Sequence, residues 1–226
     1  MLVHKYLKSD FSVVSERNNN KLEVVGLSKS YNGIQVIKDL SFSVERGEVL
    51  AVVGKNGSGK TTLLKLISGI SEKDSGTIKL YGKDISHHDV RSKILFVGHF
   101  PNIYSHLTVF ENLVFWAKIW GKNCDEKNIK FALDFFGILK FKNYFVHQLS
   151  QGIKRKVSLC KFFIIDPDVL VVDEPFSNID DFGREKISEL FSRCKKENKI
   201  VIFSSPEKKT EFKADLILDL DSLPRT

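Results

Sequence analysis

The chain has 226 residues, 42% of them apolar, with a formal net charge of +7. That length suits one large domain or two small ones with a full core. No apolar run approaches the roughly 18 residues of a membrane span, so a soluble or peripheral protein is expected. The lysines are spread along the whole chain, which favours a generally solvated basic surface over one nucleic-acid-binding face, and the three cysteines, Cys124, Cys160 and Cys194, are too far apart for a zinc site and fit a reducing compartment.

Residues 1–20 are polar and end in Asn18-Asn19-Asn20. They predict a flexible extension. Without an apolar h-region it is no secretory signal, and Asp10, Glu16 and the scarcity of arginine count against an organellar presequence. Residues 21–226 are expected to form a single domain. Leu22–Val25 predicts a strand, Tyr31-Asn32-Gly33 a turn, and the alternating Leu40–Val44 a half-buried strand. Arg46-Gly47 turns the chain into Val49–Val53, apolar and valine-rich, which predicts a buried parallel strand. Asp74-Ser75-Gly76 is expected to turn into a strand at Thr77–Tyr81, and Ile94–Val97 predicts another.

From about 101 to 147 the pattern becomes that of a helical subdomain. Thr108 is placed to cap a helix, with Glu111 completing a capping box, and a second helix fits Ile129–Phe136. After Leu149 the α/β pattern returns. It comprises a helix after Ser150, a break at Asp166-Pro167, a buried strand Val169–Val172, a helix Phe182–Lys195, and strands Ile200–Phe203 and Leu216–Leu220.

Two stretches carry chemistry. Between the Val49–Val53 strand and the helical Leu63–Ile67 lies Gly54-Lys55-Asn56-Gly57-Ser58-Gly59-Lys60-Thr61, followed by Thr62. It satisfies the phosphate-binding pattern G-x-x-x-x-G-K-[ST] in the strand–loop–helix context the motif needs. Glycines let the loop aim its amides at phosphate oxygens, and the helix N-terminus adds positive partial charge. Lys60 offers a charge to the outer phosphates, and the Thr61 hydroxyl suits Mg2+. The second stretch is Asp173-Glu174, at the end of a four-residue apolar strand. There Asp173 is placed to hold the magnesium, and Glu174 to polarise an attacking water as general base.

With these pieces in order, the sequence resembles the nucleotide-binding subunits of ABC transporters from about Leu22 to Leu220. Leu149-Ser150-Gln151-Gly152 is similar to the family's L-S-x-G signature, Ser177–Asp180 resembles its D-loop, and Tyr31 sits where the family stacks an aromatic on adenine. The resemblance implies an α/β fold: a P-loop core of ABC ATPase type with an antiparallel β subdomain and a helical subdomain. It also implies ATP and Mg2+ as ligands, and a dimer, with itself or a related ATPase subunit, that sandwiches two nucleotides. Ser150 and Gly152 would then act on the opposing monomer's ATP, and Asp180 would join the nucleotide-binding set. The implied partner is a separate multi-span membrane permease, with no nucleic acid, and the implied place is the cytoplasmic face of a plasma membrane or its organellar equivalent.

Within the family, Val97-Gly98-His99, then Leu107–Leu113, then Asp173–Asp180 are similar to the haem-exporter subunit of cytochrome c maturation. Other small exporters share some of these pieces and stay open as alternatives. Three positions depart from the family pattern. His99 stands where a glutamine usually touches magnesium and the membrane partner, although the haem-exporter resemblance has a histidine there, and on that ground His99 is counted with Lys60 and Glu174 among the catalytic residues. Ile153 replaces the signature's glutamine. Pro206 stands where a histidine contacts the γ-phosphate, and a proline can donate neither proton nor hydrogen bond. That departure motivates a rival reading, a nucleotide-driven clamp that binds ATP but hydrolyses it poorly. A soluble ABC protein acting on ribosomes or DNA is disfavoured by the single P-loop and the absence of a basic arm.

Overall fold

The computed structural model describes residues 20–208 and 210–223. The expected extension lies outside them apart from Asn20. The first hairpin joins β1 (Lys21–Tyr31) to β2 (Ile34–Glu45) through Asn32 and Gly33. Both have positive φ, 49° and 79°, the geometry of a two-residue turn whose twist matches the strands it joins. β3 (Val49–Val53) follows, then the glycine loop and α1 (Lys60–Ile67). β4 (Ser75–Leu80), the two-residue β5 (Lys83–Asp84) and the single-turn α2 (His88–Arg91) lead to β6 (Ile94–Val97). Two expectations are corrected here. Ser75 and Gly76 belong to β4 rather than to a turn before it, and Tyr81 leaves the strand with φ 55°. The cause of the first lies at Gly76, where β4 crosses β1 so closely that a Cβ would sit 2.5 Å from the Gly26 carbonyl oxygen. Only glycine lets the two backbones pair there. The second follows from the two-residue turn into β5, where Tyr81 and Gly82 both have positive φ.

The middle of the chain holds α3 (Val109–Ile119) and α4 (Glu126–Phe135), with short 3-10 turns at Leu139–Phe141 and Val146–Gln148. The capping box at the start of α3 forms as expected, Glu111 N donating to Thr108 Oγ1 at 3.2 Å and Thr108 N to Glu111 Oε2 at 2.8 Å. Next come α5 (Gln151–Ile165), β7 (Val169–Val172), α6 (Asp181–Lys196), β8 (Ile200–Ser205) and β9 (Leu216–Asp219). Leu220, expected in the last strand, lies instead in a 3-10 turn, Leu220–Ser222.

The strands form two sheets. One is antiparallel, in the order β2-β1-β4-β5; the other is parallel, in the order β6-β7-β8-β3-β9. The parallel sheet is buried on both faces, and alternate residues feed two cores. Val49, Ala51, Leu170, Val172, Val201 and Phe203 face the layer of α3, α4, α5 and α6. Leu50, Val52, Val169, Val171, Ile200 and Ile202 face α1 and the antiparallel sheet. Full burial of each such side chain contributes about 1.5–3 kcal/mol. This explains why β3 and β7 read as unbroken apolar runs, and the fold is the α/β, ABC ATPase type that the resemblance implied. The parallel order also places the C-terminal ends of all five strands along one edge. There Gly98 and His99 follow β6, Asp173 follows β7, Pro206 follows β8 and Gly54 follows β3. That edge is where open parallel sheets bind ligands.

Candidate nucleotide-binding site

The loop between β3 and α1 is built by conformations that suit glycine. Gly54, Gly57 and Gly59 have φ of 149°, 81° and 99°. Gly59 also meets the first hairpin, since a Cβ there would lie 2.9 Å from Val36 Cγ1. As N-cap of α1, Gly59 has no side chain to offer the first-turn amides of Lys60, Thr61 and Thr62, so these donors stay available to an anion. Lys60 is buried and curls back, its Nζ donating to Gly54 O at 2.6 Å and Lys55 O at 3.0 Å. Ser58 Oγ is buried without a hydrogen-bond partner, while Lys55, Asn56 and Gly57 are exposed. Within the loop Lys55 N already donates to Asp221 Oδ2 at 2.9 Å and Ser58 N to Lys55 O at 3.1 Å, and the first-turn amides of α1, a lysine and one orphaned hydroxyl form a cradle that fits phosphate oxygens.

Across the sheet edge, Asp173 is held from two sides. Thr61 Oγ1 donates to its Oδ2 at 2.8 Å, and Ser204 Oγ to its Oδ1 at 2.6 Å. Thr61 and Asp173 therefore present two hard oxygens beside the cradle, a donor set that suits Mg2+ when phosphate oxygens and water complete its shell. Among the described residues no cluster of three or more His, Cys, Asp or Glu is placed to hold a metal, so a cation here would need those outside oxygens. The backbone of Glu174 is left-handed, φ 49°, which is uncommon for a non-glycine residue. Its amide donates to Ser204 Oγ at 2.8 Å, and its Oε2 accepts from Ser177 Oγ at 3.1 Å. His99 Nδ1 lies 3.6 Å from the same Oε2, so a histidine remote in sequence stands beside this carboxylate.

The remaining predicted residues fall at three places. Ser150 caps α5, accepting from Ile153 N at 3.4 Å, and is exposed. Gly152 lies under the Ser177–Asp180 loop, where a Cβ would be 3.0 Å from Asn178 O. Asp180 caps α6 through Gly183 N and pairs with Lys156 at 2.7 Å, which holds its carboxyl below the usual range. Tyr31 is exposed at the tip of the first hairpin, with the Lys29 ammonium 5.2 Å from its ring centroid. Pro206 is exposed just past β8.

Two residues of this edge escaped the sequence reading in these roles. Ser204 links Asp173 to the Glu174 amide. Arg155, buried on α5, donates to Pro175 O and His99 O at 3.2 Å each, to Glu174 O at 2.7 Å, and to Asp173 O. Burial lowers its guanidinium to about 10, and nearby Asp173 and Glu174 oppose that shift. Only the helical period of α5 hinted at an inward-facing arginine.

A phosphate-accepting loop at a parallel-sheet edge, with an acidic pair after the next strand but one, β7, defines a P-loop nucleotide-binding domain. The family model for ABC transporters matches residues 37–177, and the chain belongs to that family. Its ATP-binding members hydrolyse ATP coupled to transport, pair with membrane permeases and typically dimerise. The sulfate/thiosulfate import ATP-binding protein CysA of Pectobacterium atrosepticum is 31% identical over 76% of this chain and 54% of its own length. The chain thus spans about half the length of such relatives. The cytochrome c biogenesis ATP-binding export protein CcmA of Vibrio vulnificus is 33% identical over 81% of this chain and 91% of its own. Among solved structures, a Pyrococcus furiosus chain described as a candidate ABC transporter ATP-binding protein superposes with a TM-score of 0.78 at 31% identity, covering 89% of this chain and 98% of that one. Among the described residues no helix is long and apolar enough to cross a membrane.

Proposed function

We propose that the chain is the ATP-hydrolysing subunit of a membrane exporter, in its finer assignment the haem exporter of cytochrome c maturation. It would work as a dimer at the cytoplasmic face of the membrane. The observation that carries the hydrolytic reading is the hydrogen-bonded line Thr61–Asp173–Ser204–Glu174 beside the glycine loop. The amides of the loop and of the first turn of α1 bind the phosphates. Lys60 swings from the Gly54 and Lys55 carbonyls onto the outer phosphates. Thr61 and Asp173 hold Mg2+, which supplies charge neutralisation to the phosphates when bound. Glu174 accepts a proton from the attacking water, with Ser177 and His99 setting its carboxylate. Tyr31 stacks on adenine from the hairpin tip. Ser150 and Gly152 are offered to the opposing monomer's nucleotide, and Asp180 holds the loop beside them.

The export assignment is supported by Val97–His99, Leu107–Leu113 and Asp173–Asp180, and by the near-complete coverage of the cytochrome c biogenesis relative. Import subunits of similar identity weigh on the other side. The test is isolation of the tagged chain from membranes at native expression. Recovery of a multi-span protein alongside it is the expected result; a chain that stays soluble and alone would end the transporter reading. Pro206 favours a second reading, the weakly hydrolysing clamp, which robust turnover by the purified protein would exclude.

A further inference from the structure

We infer that Arg155 is a positioning residue for hydrolysis, the strut that ties the exposed signature turn of α5 to the hydrolytic edge of its own monomer. The inference rests on the hydrolytic reading above. Arg155 lies one helical turn into α5, behind the turn at which Ser150 and Gln151 are exposed and Gly152 is half-buried. Among the described residues its guanidinium forms no ion pair with a carboxylate, although Asp173 and Glu174 lie near enough to favour its charge. It donates to four carbonyl oxygens, those of Asp173, Glu174 and Pro175 after β7 and that of His99 after β6. A planar fork with five fixed N–H donors can bridge two loops in this way, whereas a lysine's ammonium cannot span them.

Glu174 needs such support. Its left-handed backbone is a strained conformation that persists only where the surroundings over-determine it. Four hydrogen bonds pin it: its amide donates to Ser204 Oγ, its carbonyl accepts from Arg155 and from Ser177 N at 3.2 Å, and its Oε2 accepts from Ser177 Oγ. The same helix sends Lys156 to Asp180 and Lys161 to Asn102 O at 2.5 Å. Three buried cations of α5 therefore fasten the two loops that flank the site, the one after β6 and the one after β7. A tilt of α5 when its N-terminal turn docks on a partner monomer's nucleotide is transmitted through Arg155 to Glu174 and His99.

The test compares the full chain with Arg155→Met and Arg155→Lys. Three quantities are measured: affinity for a fluorescent ATP analogue, steady-state MgATP turnover, and amide exchange by mass spectrometry. Arg155→Met should bind the analogue within about threefold of wild type and lose at least tenfold in kcat. Amides of residues 173–177 and 98–102 should exchange at least tenfold faster, with β3 and the glycine loop unchanged. Arg155→Lys, whose single ammonium can hold one loop but not both, should fall between Arg155→Met and wild type in kcat and exchange; if the methionine variant does not fold, a lysine variant equal to wild type in both overturns the inference. Unchanged kcat with unchanged exchange in these segments would overturn the inference, as would a loss of affinity in proportion to kcat. A wild-type chain without turnover would sink the hydrolytic reading itself; exchange would then still decide whether Arg155 holds the two loops.

Discussion

Two single residues carry the sharpest expectations. Lys60→Ala removes an ammonium that now rests on the Gly54 and Lys55 carbonyls and that is proposed to move onto phosphate. Charge-assisted hydrogen bonds of this kind are worth about 1.5–3 kcal/mol each, so ATP affinity should fall by about a hundredfold while far-UV circular dichroism is unchanged. Equilibrium dialysis with labelled ATP checks it, and wild-type affinity would remove the loop from the site. Pro206 is the opposite case, a residue that lacks what the family pattern has. Of the neighbouring hydroxyls, Ser204 is engaged, donating to Asp173, while Ser205 Oγ accepts from Glu207 N at 3.2 Å and keeps its own O–H to donate. Loss of one transition-state donor costs about 3–4 kcal/mol, or 10²–10³ in rate. Wild-type hydrolysis should therefore be slow and ATP binding near normal, and Pro206→His should raise kcat about tenfold or more. A fast wild type would contradict the claim of an impaired site and point to His99, already 3.6 Å from Glu174, as the residue that compensates.

At the scale of elements, α5 is the most exposed to test, because it joins a surface turn to buried cations. Ser150→Arg puts a large cation where an opposing γ-phosphate would dock. It should leave ATP binding to the isolated chain intact and cut turnover at least tenfold, read in the same assay at saturating MgATP. Unchanged turnover would reduce Leu149–Gly152 to a plain helix start. Further along the helix, Lys161 is buried with its Nζ 4.0 Å from the Trp116 ring centroid, and burial lowers its ammonium to about 7 from 10.5. A lysine depressed in the folded state leaves the unfolded chain holding more protons between those two values. Stability should therefore rise with pH from about 7 towards 10 and be flat below 7, by at most about 1.4 kcal/mol per pH unit. Urea unfolding of wild type and Lys161→Met across that window isolates the effect. A difference that stays level with pH would show that the Trp116 ring and the Asn102 carbonyl keep the ammonium charged.

For the molecule as a whole, what was legible in the sequence is what short stretches determine. Val49–Val53 before the glycines announced a buried parallel strand and Val169–Val172 before Asp173 a buried one, and Thr108 with Glu111 announced a cap, because each signal is complete within a few residues. The extent of β1 and β2 was not legible, since their pairing breaks register at three places and β1 is also held by β4 through the contact of Gly26 with the distant Gly76. Arg155 and Ser204 were missed for the same reason: their partners lie 18 to 56 residues away in the chain for Arg155 and 30 to 31 for Ser204, so only the assembled sheet edge gives them a role. The departures at His99 and Pro206, visible as residue types, acquired a spatial meaning only when β6 and β8 were set on either side of β7.

On this account the sheet edge completes its work only when two chains close over ATP, and the most direct measurement is the mass of Glu174→Gln in solution. The amide cannot accept the water's proton, while the glycine loop, Thr61 and Asp173 are untouched, so nucleotide should bind and persist. By analytical ultracentrifugation the variant should be monomeric alone and dimeric with saturating ATP and Mg2+. A variant that binds ATP yet stays monomeric at every nucleotide concentration would contradict the account.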